Sequence, residues 1–445
     1  MRSRTRYEIP GTVRVELEAR PSPRSLASRL MIDRLMKLTR FVRPPIPPVR
    51  SDVRVVSLTA VMAYVQGYAF AQAANNVPFI RRSLGETAAQ MSLLLAITRM
   101  GAVAAVVLSL VGDRGGRRRI LLFSYGVMAL ASAATATANT AVWFTVWQSV
   151  TRMTGSAVSV LALVMLAETL QPGLRAYGIA VFGAAASFGA GSALVVVPIN
   201  DLGSNMWRML FAATILGLLA LPSLAKRVGE SPLFESGGVR SPVLWAPLRG
   251  NAAGRFWPIA AISFLAAAFA ATASSFAVER LVEGLGLSTT VAVLILAIGG
   301  TVGGIGFFAG GRLADTWGRR PTTAMALLSA GIGGIGMYHL GSPGLLILAA
   351  ALSGFGAFAI VPSLGALRNE VFPTGIRATA STWLNSAGVI GAVSGLAVGK
   401  YLIGNFGLST SVTLLSVGMA IATLLVMLVP ETKGLHLASN VSPID

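Results

Sequence analysis

Apolar runs of about 20 residues recur along most of this chain, and each is long enough to cross a lipid bilayer as a helix. Hydrophobic residues make up 54% of the sequence and charged residues 12%, about half the charged share of an ordinary soluble domain. A chain this long and this apolar is neither disordered nor typical of a soluble enzyme. We therefore expect a membrane protein, in which the 49 glycines let spanning helices pack closely.

The residue types that carry thiol and metal chemistry are almost missing. The sequence has no Cys, which excludes disulfides, thiolate ligands and a Cys nucleophile, and its two histidines are His339 and His436. No nucleophile–base pair or metal-ligand cluster is found, so we expect no enzyme activity, no cofactor and no metal. The net charge of +19 does not indicate a nucleic-acid partner, because the basic residues lie between the apolar runs.

The spacing of the runs predicts an all-α membrane protein with twelve transmembrane helices in two six-helix bundles. The longest polar break, 227–255, divides the spans six and six. The predicted spans lie near 53–80, 88–112, 119–138, 140–168, 174–199, 206–226, 256–280, 287–314, 321–340, 343–368, 375–403 and 408–429. The predicted segments are therefore a basic N-terminal segment 1–52, a first bundle 53–226, a cytoplasmic central loop 227–255, a second bundle 256–430 and a tail 431–445.

The basic residues between the spans predict the orientation of the chain. No apolar run opens the sequence, so we expect no cleaved secretory signal. Placing the N-terminal segment in the cytoplasm puts most loop cations on the same side, although Arg81 and Arg82 fall on the other. This bias predicts a multi-pass protein of the cytoplasmic membrane with both termini inside. The cations that set it are Arg114, Arg117, Arg118, Arg119, Lys226, Arg227, Arg319 and Arg320.

The N-terminal segment has its own pattern within residues 25–43. Apolar side chains recur there at helical spacing, and Arg and Lys lie between them. One interpretation is a basic amphipathic helix on an anionic lipid surface. The other is a disordered tail that only helps to orient the protein. The apolar positions are Leu26, Leu30, Leu35, Leu38 and Phe41, and the basic ones are Arg29, Arg34, Lys37 and Arg40.

The two halves carry the same charged motifs. VGDRGGRRR follows span 2 and GGRLADTWGRR follows span 8, while AETLQPGLR and NEVFPTGIR end spans 4 and 10. The offset is 202 positions for three pairs and 201 for a fourth, which predicts a duplicated six-helix unit. The pairs are Asp113 and Asp315, Glu168 and Glu370, Arg175 and Arg377, and Glu230 and Glu431.

These motifs resemble those of the major facilitator superfamily of secondary transporters, from Val53 to Gly434. The signature Asp-x-x-Gly-Arg-Arg stands after the second helix of each half, and the Glu, Pro and Arg after the fourth helices are similar to the sugar-porter and metabolite-transporter branch. The resemblance implies a transporter that alternates between two states around a central site. The signature residues are Asp113, Gly116, Arg117 and Arg118, and Asp315, Gly318, Arg319 and Arg320.

The duplicated carboxylates and cations are predicted to gate the cytoplasmic side. A carboxylate at one helix end can meet an Arg or the positive N-terminus of another helix, and such pairs break when a gate opens. The alternative is that these loops only fix topology. The predicted gating residues are Asp113, Arg117, Arg118, Glu168, Arg175, Glu230, Asp315, Arg319, Arg320, Glu370, Arg377 and Glu431.

The predicted central site departs from the sugar-porter pattern. Ala69 occupies the position of that family's proton-carrying Asp, and Gly365 that of its sugar-stacking Trp, so a hexose is a poor candidate substrate. Arg152 lies about 18 Å inside span 4 by helical rise, which favours a functional role. The alternative for Arg152 is a structural Arg bonded to helix carbonyls, and for Arg99 a span 2 that lies lower. The predicted substrate-binding residues are Arg152, Arg99, Gln66, Gln72, Asn76, Trp383 and Asn385.

Three functions remain open from the sequence. The first is secondary active or facilitative transport of a small organic metabolite, expected to be an anion, by alternating access. The second is proton-coupled efflux of drugs or metabolites, although span 5 lacks the Gly-Pro motif usual in efflux antiporters and no acid lies deep in a span. The third is a receptor on a transporter scaffold. One chain contains both halves, so a monomer suffices for transport.

Overall fold

The computed structural model describes residues 47, 49–171, 174–230, 248, 250–372 and 374–433. The predicted lipid-binding segment 25–43 and the side chain of Asp113 lie outside the described residues.

The described part of the first half contains six long helices. Their starts follow ordinary capping chemistry. Thr87 forms a capping box with Gln90 at the start of α2, and the Thr140 hydroxyl accepts a hydrogen bond from Trp143 N at the start of α4. The helices are α1 Arg50–Asn75, α2 Ala88–Gly115, α3 Arg117–Ala134, α4 Ala141–Thr169, α5 Arg175–Val195 and α6 Trp207–Arg227, the last with a 3₁₀ segment in its middle.

The described part of the second half repeats this order. Helical backbone runs on from 374 to 426, but Gly407 has a φ of 77° and divides it, as a residue without a Cβ can do at little cost. The helices are α7 Gly250–Ser275, α8 Thr289–Thr316, α9 Arg319–His339, α10 Pro343–Glu370, α11 over 374–406 and α12 over 408–426.

Ten helical stretches of the described residues are long and apolar enough to cross a membrane. One of them, Thr379–Val426, contains α12 and most of α11. The helix α9 falls outside the ten; it is Gly-rich and begins with two arginines. Large apolar side chains also cover the outer surface, including Phe188, Leu219 and Phe308, each more than 70% exposed. A surface of this kind is suited to lipid rather than water.

Glycines let the helices of each half approach closely. A Cβ added to Gly189 in α5 would lie 1.9 Å from the carbonyl oxygen of Tyr64 in α1. A Cβ on Gly391 in α11 would lie 2.2 Å from the carbonyl oxygen of Phe264 in α7. These glycines are 202 positions apart, so the two halves repeat this packing contact as well as the charged motifs.

Candidate substrate pathway

Ion pairs join the two halves at one end of the molecule, which we call the sealed end. It is formed by the short helix Val77–Leu84 after α1 and by residues 277–284 after α7. Arg81 Nε lies 2.7 Å from Glu279 Oε1, and Arg81 Nη2 lies 3.4 Å from Glu283 Oε2. Arg82 also pairs with Glu283. The first half thus supplies the cations and the second half the carboxylates.

Hydrogen bonds add to the sealed end. Thr289 Oγ1 donates to Asp201 Oδ1 at 2.7 Å, and Ser92 Oγ donates to the Leu396 carbonyl at 2.6 Å, both between halves. Glu279 lies outside the span Ala252–Ser275, and burial raises the pKa of its carboxyl even though Arg81 and Arg82 act to lower it. The sealed end therefore contains a carboxylate for which charge is costly.

A cavity of about 540 Å³ lies next to the sealed end, on its inner side, mostly against the second half. Asn75 and Leu194 of the first half contribute to its wall, and α7, α8, α9, α10, α11 and α12 contribute the rest. Most lining side chains are apolar, including Phe269, Met337 and Leu364. Among the described lining residues there is no Asp or Glu, and Arg368 is the single cation.

Arg368 is a site residue that the sequence analysis missed. Its Nη2 donates to Ser263 Oγ at 2.5 Å and its Nη1 to Asn385 Oδ1 at 3.3 Å, while its buried Nε has no hydrogen-bond partner. The signal was present in the sequence, because Arg368 stands two residues before Glu370. It was assigned to the end of the span, whereas α10 runs through it to Glu370.

The two arginines predicted from the sequence lie in the first half with neutral partners. Arg152 Nη2 donates to the Phe70 carbonyl at 2.8 Å, and its guanidinium lies 4.2 Å from the centroid of the Phe70 ring. Arg99 Nη2 donates to Ser275 Oγ at 3.0 Å, across to the second half.

The amides predicted around Ala69 lie in the packed interior of the first half. Gln72 and Asn76 are fully buried, bond to each other at 2.6 Å, and connect through Asn76 Oδ1 to Asn200 at 2.8 Å. Gln66 donates to Ser159. In this conformation Gln72 and Asn76 have no surface for a ligand, and their role in substrate binding stays a prediction.

The two predicted residues of span 11 differ in position. Asn385 lines the cavity and accepts from Arg368. Trp383 packs against the apolar core and is not among the lining residues. The structure therefore brings Asn385, but not Trp383, to the cavity.

At the other end of the molecule, which we call the basic end, the charged motifs of the first half form one cluster. Arg117 in α3 pairs with Glu168 in α4. The Glu230 carboxylate accepts from the backbone N–H of Arg118 at 3.1 Å and so caps α3. Arg118 Nε donates to the Val228 carbonyl at 2.7 Å, which holds the segment after α6 against α3.

The second half builds the same cluster. Arg319 Nε lies 3.0 Å from Glu370 Oε2, and Arg319 Nη2 lies 3.0 Å from both Glu370 Oε1 and Asp315 Oδ1. Glu431 accepts from the backbone N–H groups of Arg319 at 2.9 Å and Arg320 at 3.0 Å. Burial alone would raise the pKa of Glu431, but these and two further backbone N–H donors lower it. The carboxylate is thus held in its charged form at the start of α9.

Arg175 and Arg377 have a different role in this conformation. Arg175 Nε donates to the Leu170 carbonyl and Arg377 Nε to the Phe372 carbonyl, both at 3.3 Å. Each therefore holds the turn that precedes its own helix. The contacts described at the basic end join helices within one half, whereas the ion pairs between halves lie at the sealed end. Gating by the basic-end residues stays a prediction.

Comparison with known proteins identifies the family. The model of the Major Facilitator Superfamily matches residues 56–344, which is more than half of the chain. The chain belongs to the Major Facilitator Superfamily. The predicted family and the all-α fold of two six-helix bundles are confirmed.

Two relatives and one solved structure illustrate the match. A metabolite transport protein of Haemophilus influenzae is 33% identical over 154 residues, 34% of this chain and 37% of the relative. The puromycin resistance protein pur8 of Streptomyces alboniger is 33% identical over 162 residues, 35% of this chain and 30% of the relative. The chain thus spans about a third of the length of these curated relatives. The partially occluded inward-open xylose transporter XylE of E. coli shares the fold, with a TM-score of 0.68, 18% identity, and coverage of 87% of this chain and 100% of that one.

Proposed function

We propose that this transporter carries a small organic anion by alternating access between its two halves. The observation that supports it is uncompensated positive charge within the membrane. Arg99, Arg152 and Arg368 each have neutral partners in the contacts described, and the described cavity lining contains no acid. An unpaired guanidinium is costly at the depth of Arg99 and Arg152, and an anion supplies the missing charge.

The arrangement of the two ends supports alternating access. The halves are ion-paired at the sealed end, and the cavity extends from Val278 toward Arg368, which lies near the basic end of α10. Rocking of one half against the other would break the sealed-end pairs and close the basic end. We assign the basic end to the cytoplasm of a cell inner membrane, because loops there carry most of the Arg and Lys. With the basic end in the cytoplasm, the described conformation is inward-facing.

The partners follow from the same reasoning. One chain supplies both halves and the cavity, so a monomer suffices for transport. Membrane lipids surround it, with anionic lipid a partner of residues 25–43. The alternative function, proton-coupled drug or metabolite efflux, is favoured by the apolar lining of the cavity and by similarity to a puromycin resistance protein.

The test is a comparison of ligands that share a shape and differ in charge. Benzoate, benzamide and benzylamine carry charges of −1, 0 and +1 on the same ring. We expect benzoate alone to raise the unfolding temperature of the purified protein by mass action and to accumulate in proteoliposomes. Puromycin, which carries a basic amine, tests the alternative in the same assays.

Arg152→Lys keeps the charge but loses the planar guanidinium that stacks on Phe70, so we expect weaker anion uptake. Arg312→Gln is the matched control, because Arg312 is an exposed cation on α8 that does not line the cavity. Preference for benzamide, benzylamine or puromycin over benzoate would overturn the proposal. A pH gradient across the vesicles tests whether uptake is coupled to protons.

A further inference from the structure

We propose that Arg368 is the direct anchor of the substrate, and that the substrate is a monocarboxylate with an apolar body. This inference rests on the proposed transport of an anion and deepens it by naming the binding group and the chemical class. It differs from the sequence-based expectation, in which the substrate-binding arginines are Arg152 and Arg99 of the first half.

The geometry of Arg368 supports a role as anchor. Its partners Ser263 and Asn385 are neutral. Its buried Nε lacks an acceptor, although a guanidinium has five N–H donors to satisfy. A carboxylate accepts two parallel N–H bonds from the edge of a guanidinium. The missing acceptor is therefore the group that an anionic ligand would bring.

The neighbours of Arg368 fix the orientation of that ligand. Ser263 and Asn385 hold its Nη atoms from α7 and α11, so the side chain is braced by two helices of the same half. Neither Arg99 nor Arg152 is among the residues that line the cavity. In the described conformation the ligand's charge consequently lies at the basic-end side of the cavity, and its body points toward the sealed end.

The rest of the wall selects the body of the ligand. Phe269, Met337, Leu296 and Ile360 present apolar surface above Arg368. A second carboxylate placed there would lose its hydration without gaining a cation, which is costly. An apolar ring or branched chain would instead gain from burial, at about 25 cal/mol per Å². The lining therefore favours one charge at one end and a hydrocarbon body.

The size of the cavity agrees with such a ligand. Its volume of about 540 Å³ lies within the range of about 300–1,000 Å³ typical of small-molecule sites. A single aromatic ring or a branched aliphatic chain fits with room for its carboxylate at Arg368. The further polar side chains in the lining are Asn75, Ser274, Tyr338 and Ser353, and the hydroxyls of Tyr338 and Ser353 already donate to backbone carbonyls. Such a lining offers few free groups for the ring hydroxyls of a sugar.

The experiment compares two matched pairs of ligands on the full-length protein. Benzoate against benzamide tests the charge, and butyrate against succinate tests a second carboxylate on a chain of the same length. We expect binding of benzoate and butyrate, and no binding of benzamide or succinate at equal concentration. Arg368→Gln should weaken benzoate binding about 10- to 100-fold, the loss of one or two charge-assisted hydrogen bonds. Arg368→Lys should weaken it less, because the charge remains but the two-pronged contact does not.

The outcomes separate this inference from the proposed function. Tighter binding of succinate than of butyrate would overturn the apolar-body inference while leaving anion transport intact. Unchanged benzoate binding in Arg368→Gln, with binding lost in Arg152→Lys, would overturn the anchor and leave anion transport intact. Preference for benzamide over benzoate would overturn both. The control Arg312→Gln should bind benzoate as tightly as the wild type. Weaker binding in Arg368→Gln is then not caused by the loss of a positive charge in general.

Discussion

Replacement of Arg81 by Ala should shift the protein away from the conformation in which its halves meet at the sealed end. Arg81 belongs to the first half and lies 2.7 Å from Glu279 and 3.4 Å from Glu283 of the second half. The Glu279 side chain is 5% exposed, and its second oxygen has no hydrogen-bond partner. An Ala at position 81 therefore leaves a buried carboxylate without its nearest cation.

The magnitude follows from how far each partner is buried. Removing one member of a buried ion pair costs about 3–5 kcal/mol. Arg81 is 23% exposed and Arg82 still pairs with Glu283, so water and a second cation offset part of this loss. We expect a cost of about 1.5–3 kcal/mol to the sealed conformation. The ratio of sealed to open molecules should fall by about 10- to 150-fold.

The absence of Cys from the sequence makes the assay direct. Asp201→Cys and Thr289→Cys replace two side chains that are hydrogen-bonded between the halves, so their disulfide reports a closed sealed end. Arg81→Ala should slow its formation. Arg54→Ala, which removes an exposed cation from the opposite end of α1, is the control. Equal rates of disulfide formation in both variants would refute the reasoning.

The same variant predicts a pH dependence. Burial raises the pKa of Glu279, so its carboxyl is neutral below that pKa and charged above it. A neutral carboxyl needs no cation, and the defect of Arg81→Ala should therefore shrink as the pH falls and be fully present above the pKa. A defect of the same size at every pH would show that the charge of Glu279 is not what Arg81 balances.

Three further predictions concern the basic end, the helix packing and the N-terminal segment. Glu370→Gln should destabilise the protein in detergent by about 2–4 kcal/mol, because it breaks a mostly buried ion pair. Asp315→Asn, at a carboxylate 73% exposed, should cost about 0–1 kcal/mol and still slow transport. Equal unfolding midpoints for the two variants would contradict the stability prediction, and unchanged uptake in Asp315→Asn would contradict the transport prediction. Gly189→Ala should prevent a monodisperse preparation on gel filtration, since its Cβ would overlap a backbone oxygen. Gly183→Ala, with open space around it, should give a monodisperse preparation. Identical gel-filtration profiles for the two variants would contradict this packing. Deleting residues 1–43 should leave uptake unchanged and abolish the preference of the protein for anionic over neutral vesicles at low salt. A preference that persists after the deletion would assign lipid binding to another surface.

The sequence by itself was sufficient for the fold and for the clusters at the basic end. Twelve apolar runs follow from local composition, and the duplicated motifs follow from counting positions. The offset of 202 between Glu168 and Glu370 predicted equivalent surroundings, and both pair with the corresponding arginines, Arg117 and Arg319. These contacts are predictable because each joins neighbouring helices of one half through a motif that is repeated as a unit.

The contacts between the halves and the wall of the cavity depended on the tertiary structure. Arg81 and Glu279 are 198 positions apart, and no motif links them. Arg368 lines the cavity, whereas Gln72 is buried, and both outcomes depend on how far each helix is rotated about its axis in the packed bundle. In a sequence that is apolar on all sides of each span, periodicity does not distinguish the face toward lipid from the face toward the cavity. Which polar side chains reach the substrate is decided only when the helices pack.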